Sequence, residues 1–133
     1  MDRLFRRDEA EALLATVRPL LEEIQALRRE ALEQDAQLQK LHWKARSNGH
    51  DELDDALTQV QRRREVANTA LGERVDRLRG MGVLVKDLDM GLVDFPCQRG
   101  ERVVYLCWKL GEAAIEWWHE VDTGYGARKP LDD

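Results

Sequence analysis

The sequence predicts a mainly α fold of the α+β kind: a long antiparallel helical hairpin, a small antiparallel β-ribbon and a short C-terminal helix. Three observations carry that expectation. Between residues 8 and 80, apolar side chains recur in alternating steps of four and three, the seam of packed helices. A break around Gly49 divides that pattern into two matching halves. After Gly80-Met81-Gly82, short β-branched runs separated by turn residues replace it.

The first helix is expected from Asp8, an N-cap candidate, with Glu9 and Glu11 in the turn where the helix dipole favours acids. Its seam runs Leu13, Val17, Leu20, Ile24, Leu27, Ala31, Gln34, Leu38 and Leu41. Ser47-Asn48-Gly49-His50 ends it, because an Asn-Gly pair enters left-handed backbone at little cost. Asp51 restarts the pattern as Leu53, Leu57, Val60, Arg64, Ala67, Leu71, Val75 and Leu78. Folded about Gly49, Leu41 meets Leu57, Leu38 meets Val60, Ala31 meets Ala67 and Leu20 meets Leu78. Two unrelated heptad phases would coincide about one time in seven. Gln34 falls opposite Arg64, which reads as a register device rather than a site. Two helices leave apolar surface uncovered, which argues for a homodimer or a third packing element.

Beyond Gly82, Val83–Asp87 and Val103–Cys107 have strand composition, and Leu92–Phe95 is a third short candidate that Pro96 would hold at a sheet edge. Leu110–Val121 then reads as a helix. On its wheel Leu110, Ala114, Ile115, Trp117, Trp118 and Val121 cover one arc, while Glu112, Glu116 and His119 share the opposite side. The Gly124-Tyr125-Gly126 tail is loose enough for Tyr125 and Arg128 to fold back over an acidic pocket or an anion. The whole of 1–133 is expected to be one domain, with the hairpin at 8–80 and the ribbon-and-helix module at 81–133.

Charged residues make up 35% of the 133 and aromatics 6%, which suits extended helices better than a thick core. Residues 1–80 hold 15 basic and 16 acidic side chains, and residues 81–133 hold 6 and 10. That balance argues against nucleic acid as a partner. The N-terminus lacks the apolar run of a signal peptide, and no stretch is apolar enough to suggest a membrane. Cys97 and Cys107 are too few for a disulfide framework, so two reduced thiols in the cytoplasm are expected.

Glu-x-x-His preceded by a Glu one turn earlier is half of a carboxylate-bridged metal motif. Asp94 on the ribbon would complete a set with Glu112, Glu116 and His119, suited to iron, manganese or zinc. The competing reading is an ordinary polar helix face with His119 hydrogen-bonded locally. A Cys107–His119 nucleophile pair is disfavoured by the apolar neighbours Leu106 and Trp108. The leading functional reading is a non-enzymatic helical-hairpin interaction or scaffold protein, a homodimer or a binder of another protein. Its rival is a metal- or small-ligand-binding protein, with an enzyme as its extension.

Lys86-Asp87, Gly91-Leu92-Val93-Asp94-Phe95-Pro96, Leu106-Cys107-Trp108, Gly111-Glu112, Ile115, Trp118-His119, Gly124-Tyr125, Arg128 and Pro130 form a specific C-terminal signature. With Phe5 and Glu9-Ala10 near the start, they make the chain resemble a family of small bacterial proteins of unknown function. The resemblance spans nearly the whole chain and departs at Arg6, where relatives often carry a hydroxyl helix cap. It implies no activity. It does imply that Asp94, Glu112, His119 and Arg128 belong to a recurring constellation.

Overall fold

In the computed structural model, which describes residues 3–48 and 51–132, helix α1 runs Arg7–Asn48 and helix α2 runs Asp51–Gly80. The expected break at Gly49-His50 lies outside the described residues. Helix α1 starts one residue before the expected cap. The Arg6 N–H donates to Glu9 Oε1 at 2.8 Å, and the Arg6 carbonyl accepts the Ala10 N–H at 3.0 Å. Arg6 is therefore the capping position, and Glu9 supplies the carboxylate half of a capping box. Asp8 instead takes the Arg6 guanidinium at 3.1 Å. Helix α2 stops where Gly82 turns to φ +88°, and a Cβ there would lie 2.9 Å from the Arg3 Cβ. Both backbone and space restrict that position to glycine.

The chain divides into two compact units. One is Glu23–Arg74, a pair of helical segments whose buried residues include Ile24, Ala31, Gln34, Leu38 and Ala67. Arg74 Nε meets Glu23 Oε2 at 2.7 Å and Arg64 Nε meets Asp35 Oδ1 at 2.6 Å. Gln34 and Arg64 do not hydrogen-bond to each other; Arg64 pairs with Asp35, the residue next to Gln34. The Gln34 amide donates to Glu30 Oε1 at 3.0 Å on its own helix.

The other unit takes in the chain up to Glu22 and from Val75 onward. It corrects the expected architecture. In place of a two- or three-stranded ribbon and a C-terminal helix there is one five-stranded antiparallel sheet, with strands in chain order. They are β1 (Leu84–Asp87), β2 (Leu92–Arg99), β3 (Arg102–Lys109), β4 (Trp117–Glu120) and β5 (Lys129–Pro130). The only turn of helix after β3 among the described residues is a 3-10 turn at Tyr125–Ala127.

The region read as helix breaks at Gly111, whose φ is +106°. Trp117–Glu120 then pairs with Val104–Cys107. The wheel misled because a helical arc and a two-residue alternation both separate Trp118 from His119. Bulky aromatic residues and an open strand edge favour the second arrangement.

Pro96 sits inside the eight-residue β2, yet its position obeys the edge rule locally. Strand β1 begins at Leu84 opposite Asp94, so β1 does not reach Pro96. The Pro96 carbonyl on that side accepts the Phe5 N–H at 2.6 Å. Both true edges are blunted: β1 is short, bulged between Val85 and Asp87 and carries exposed Lys86, and β5 ends on Pro130.

Register assigns the faces. Phe95, Leu106 and Trp118 share one, where Phe5 meets Phe95 edge-on at 5.3 Å and the Arg18 guanidinium lies over the Trp108 ring at 5.5 Å. The start of α1 thus covers this face, and Val93, Phe95, Val104, Leu106 and Trp108 are buried with Leu14, Val17 and Leu21. Glu11 ties the loop before β4 to the helix by accepting the Ile115 N–H at 2.6 Å. Phe95→Ala would open a cavity in this core and cost about 3–5 kcal/mol. Urea unfolding followed by tryptophan fluorescence should register that loss, and a loss under about 1 kcal/mol would show that the face is not tightly packed.

Candidate functional site

The opposite face of the sheet carries an unusual set for a strand surface: Asp94, Tyr105, Cys107, Trp117 and His119. Asp94 on β2 stands beside Cys107 on β3, and His119 projects from β4 on the far side of β3. At about 4.8 Å per strand, β2 and β4 lie roughly 9.6 Å apart, so their side chains must reach across the intervening one. The small Cys107 thiol leaves that space free. His119 Nε2 comes within 3.0 Å of both Asp94 carboxylate oxygens. Donor atoms of Asp94, Cys107 and His119 all lie within 4.8 Å of one another. All three residues are buried, at 1%, 0% and 2% exposure.

Proton positions follow from the partners. The Glu120 carbonyl can only accept, so His119 Nδ1, 2.8 Å away, carries a hydrogen. Nε2 then faces a carboxylate, and one proton must lie between ring and acid, on either partner. Burial pushes the Asp94 carboxyl above its ordinary range, against the lowering effect of His119 beside it and of Lys86. Burial, reinforced by the negative charge of Asp94, pushes the Cys107 thiol up to about 12. No buried side-chain nitrogen or oxygen among the described residues lacks a partner.

This geometry removes one chemistry. A cysteine nucleophile needs a basic imidazole beside a readily ionised thiol. Here both ring nitrogens are engaged elsewhere, and the thiol lies against a carboxylate that holds its proton on. The expected disfavour of a Cys107–His119 pair has this physical basis.

Around the cluster, the Tyr105 ring meets His119 edge-on at 5.6 Å and the Lys86 ammonium lies 4.8 Å from the Tyr105 ring centre. Arg128 donates through Nη1 to both Glu112 oxygens at 3.1 and 3.0 Å, and the same nitrogen is 4.0 Å from the Cys107 sulfur. Its guanidinium lies over Tyr125 at 4.2 Å and over Trp117 at 4.9 Å. Glu112 also accepts the Lys109 N–H at 2.8 Å, and its carbonyl accepts the Trp108 indole N–H at 3.0 Å. Arg128 and Glu112 thereby fasten the C-terminal segment against β3.

Of the residues singled out from sequence, the structure brings Asp94 and His119 together. Glu112 is joined to Arg128, with Tyr125 stacked on that guanidinium, and Glu116 is exposed while its backbone carbonyl accepts the Leu131 N–H. Cys107 is the member that sequence reasoning did not place. Reading Trp117–Glu120 as a strand would have found it, since alternation then puts His119 on the face of Cys107 and Asp94.

The chain matches the model of an uncharacterized conserved protein family, DUF2203, over residues 3–131. It belongs to that family. The signature running from Gly91 to Pro130 therefore lies within a family whose activity is not known. No curated protein and no solved structure matches it. No helix among the described residues is long and apolar enough to cross a membrane.

The two cysteines should differ in reactivity. A thiol pushed up to about 12 is ionised in only about one molecule in 10^5 at neutral pH, and Cys107 is also fully buried. Cys97 is half-buried and raised by burial, offset in part by Arg99. Iodoacetamide with mass-spectrometric mapping, applied to protein stripped of metal, should modify Cys97 first, at a rate that climbs with pH. Cys107 should be labelled only on unfolding. Equal labelling of the two in native protein would contradict this assignment.

Proposed function

We propose that this protein binds a divalent metal ion through Asp94, Cys107 and His119. The observation that carries the reading is that three different donor atoms from buried residues lie within 4.8 Å of one another on the sheet face. The Nδ1–H bond to the Glu120 carbonyl supports it further, since metal-binding histidines characteristically anchor their second nitrogen this way. A metal ion would take the place of the proton held between Nε2 and the Asp94 carboxylate, and of the thiol proton of Cys107. Binding therefore releases protons and strengthens as pH rises.

A thiolate, an imidazole and a carboxylate together suit zinc or ferrous iron, and suit manganese least. Three protein donors leave a coordination position for water, the count found in reactive zinc sites rather than closed structural ones. In this reading Glu112 serves Arg128, and Glu116 stays in solvent.

Elemental analysis of tag-free protein prepared without chelators tests the assignment, with cobalt(II) titration as a second readout. Near-stoichiometric zinc or iron is expected, together with a thiolate-to-cobalt charge-transfer band. Cys107→Ser should abolish the band and His119→Ala should abolish metal retention, while Glu116→Ala keeps both. Absence of metal and of the band in the unaltered protein would refute the proposal. Loss of metal in Glu116→Ala with retention in Cys107→Ser would favour the carboxylate-rich set Asp94, Glu112, Glu116 and His119.

A second reading, a non-enzymatic interaction protein, is favoured by Leu32, Trp43 and Val66 in the Glu23–Arg74 unit, exposed at 54%, 69% and 64%. If these exposed side chains join two copies, sedimentation equilibrium gives a dimer, and Leu32→Asp with Val66→Asp converts it to monomer. A monomer at every concentration would reject the homodimer and turn the search to another protein.

A further inference from the structure

The pairing that turns His119 toward Asp94 turns Trp118 to the other face of the sheet, beyond Leu106 and Phe95. Three cationic groups gather there around one indole. The Arg99 guanidinium is 4.6 Å from the Trp118 ring centre, the Lys129 ammonium 4.9 Å and the Arg102 guanidinium 5.9 Å. Backbone pairing brings them together: Arg99 pairs with Arg102 at the end of the β2–β3 hairpin, and Trp118 pairs with Lys129. Their distances to a shared ring centre put no two of the charges more than about 11 Å apart. That is close to one Debye length at ordinary ionic strength, so the three act on a ligand as one field.

Little offsets that field. Glu120 Oε1 lies 2.7 Å from Arg102 Nη2. Among the described residues, no carboxylate stands within ion-pair distance of Arg99 or Lys129, and Glu101 at the hairpin turn is exposed and pairs with none of the three. The surplus is about two positive charges, in a chain whose overall net charge is −5. Cation–π contact explains why each group is held near the ring, and one group per face would satisfy the ring. A third adds repulsion without adding a free aromatic face. With Trp118 only 7% exposed, the indole has no open face on which a base could stack, so the ligand is recognised by its charge.

We infer that Arg99, Arg102 and Lys129 form a binding site for the phosphate monoester of a small soluble molecule. The charge of such a group, about −1.5 to −2 near neutral pH, matches the local surplus. Two guanidinium forks and one ammonium suit a three-oxygen anion, with Arg102 shared between the phosphate and Glu120. The site lies on the sheet face opposite Asp94, Cys107 and His119 and does not depend on metal binding there.

Heteronuclear NMR on the full chain in dilute chloride buffer tests this, with glycerol phosphate as the probe and glycerol as the uncharged control. A saturable shift of the Trp118 indole N–H with glycerol phosphate alone is expected. Arg99→Gln with Lys129→Gln should raise the dissociation constant about tenfold or more. Glu120→Gln, which frees Arg102 of its carboxylate, should lower it, and Arg79→Gln on the exposed end of α2 should leave it unchanged. If the double variant loses the spread of a folded spectrum, Lys129→Gln alone, exposed at the end of a two-residue strand, replaces it and should still weaken binding. No saturable shift, an unchanged constant in these variants, or equal weakening by Arg79→Gln would overturn the inference.

Discussion

The register of β2 against β3 is the constraint on which the other features depend. The hairpin closes through Gly100 and Glu101, with φ of +64° at the glycine and no positive φ at Glu101, the pattern of a type II′ turn. From that turn the ladder runs from Arg99–Arg102 to Leu92–Lys109 without a break. Side chains alternate with a period of two, so a slip of one residue would bring Asp94 to the helix-covered face and turn Phe95 to the other. The present register places Phe95, Leu106 and Trp108 under α1 and leaves Asp94 beside Cys107. Strand β4 inherits the same alternation, which is why His119 and Trp118 serve opposite faces.

A buried acid, imidazole and thiol on a sheet face would be destabilising if any member lacked a partner. Here the geometry meets that demand through a chain of contacts. The Glu120 carbonyl fixes Nδ1, Asp94 takes Nε2, and the small Cys107 side chain on β3 leaves room for β2 and β4 to make that contact across it. The same closeness that satisfies these groups as proton carriers would let a metal ion replace the protons, since both demand convergent lone pairs. The Arg128–Glu112 pair, covered to 11% and 22% exposure, acts beside the cluster as a fastening for the chain end.

The sheet thus separates two chemistries. One face gathers an acid, a thiol and an imidazole whose donor atoms lie within 4.8 Å of one another, the set proposed to take a cation. The far end of the other gathers cations around Trp118 and suits an anion. Adjacent residues of a four-residue strand, His119 and Trp118, serve the two. A strand can do this where a helix cannot, because neighbouring strand residues point in opposite directions.

Much of this was legible in the chain itself. Periodic apolar residues marked the two helical stretches, Gly80-Met81-Gly82 marked the end of the second, and the composition of Val83–Asp87 and Val103–Cys107 marked strands, because these signals are local. Asp94 and His119 stood out by residue type. The sequence alone could not decide between helix and strand for Trp117–Glu120, since four residues satisfy either period and only the open edge of β3 favours the strand. Nor could it bring Cys107 into the cluster, or Arg99, Arg102 and Lys129 around one indole. Those neighbours meet across strands, at separations set by pairing register, and register becomes fixed only when one face has a helix to bury against.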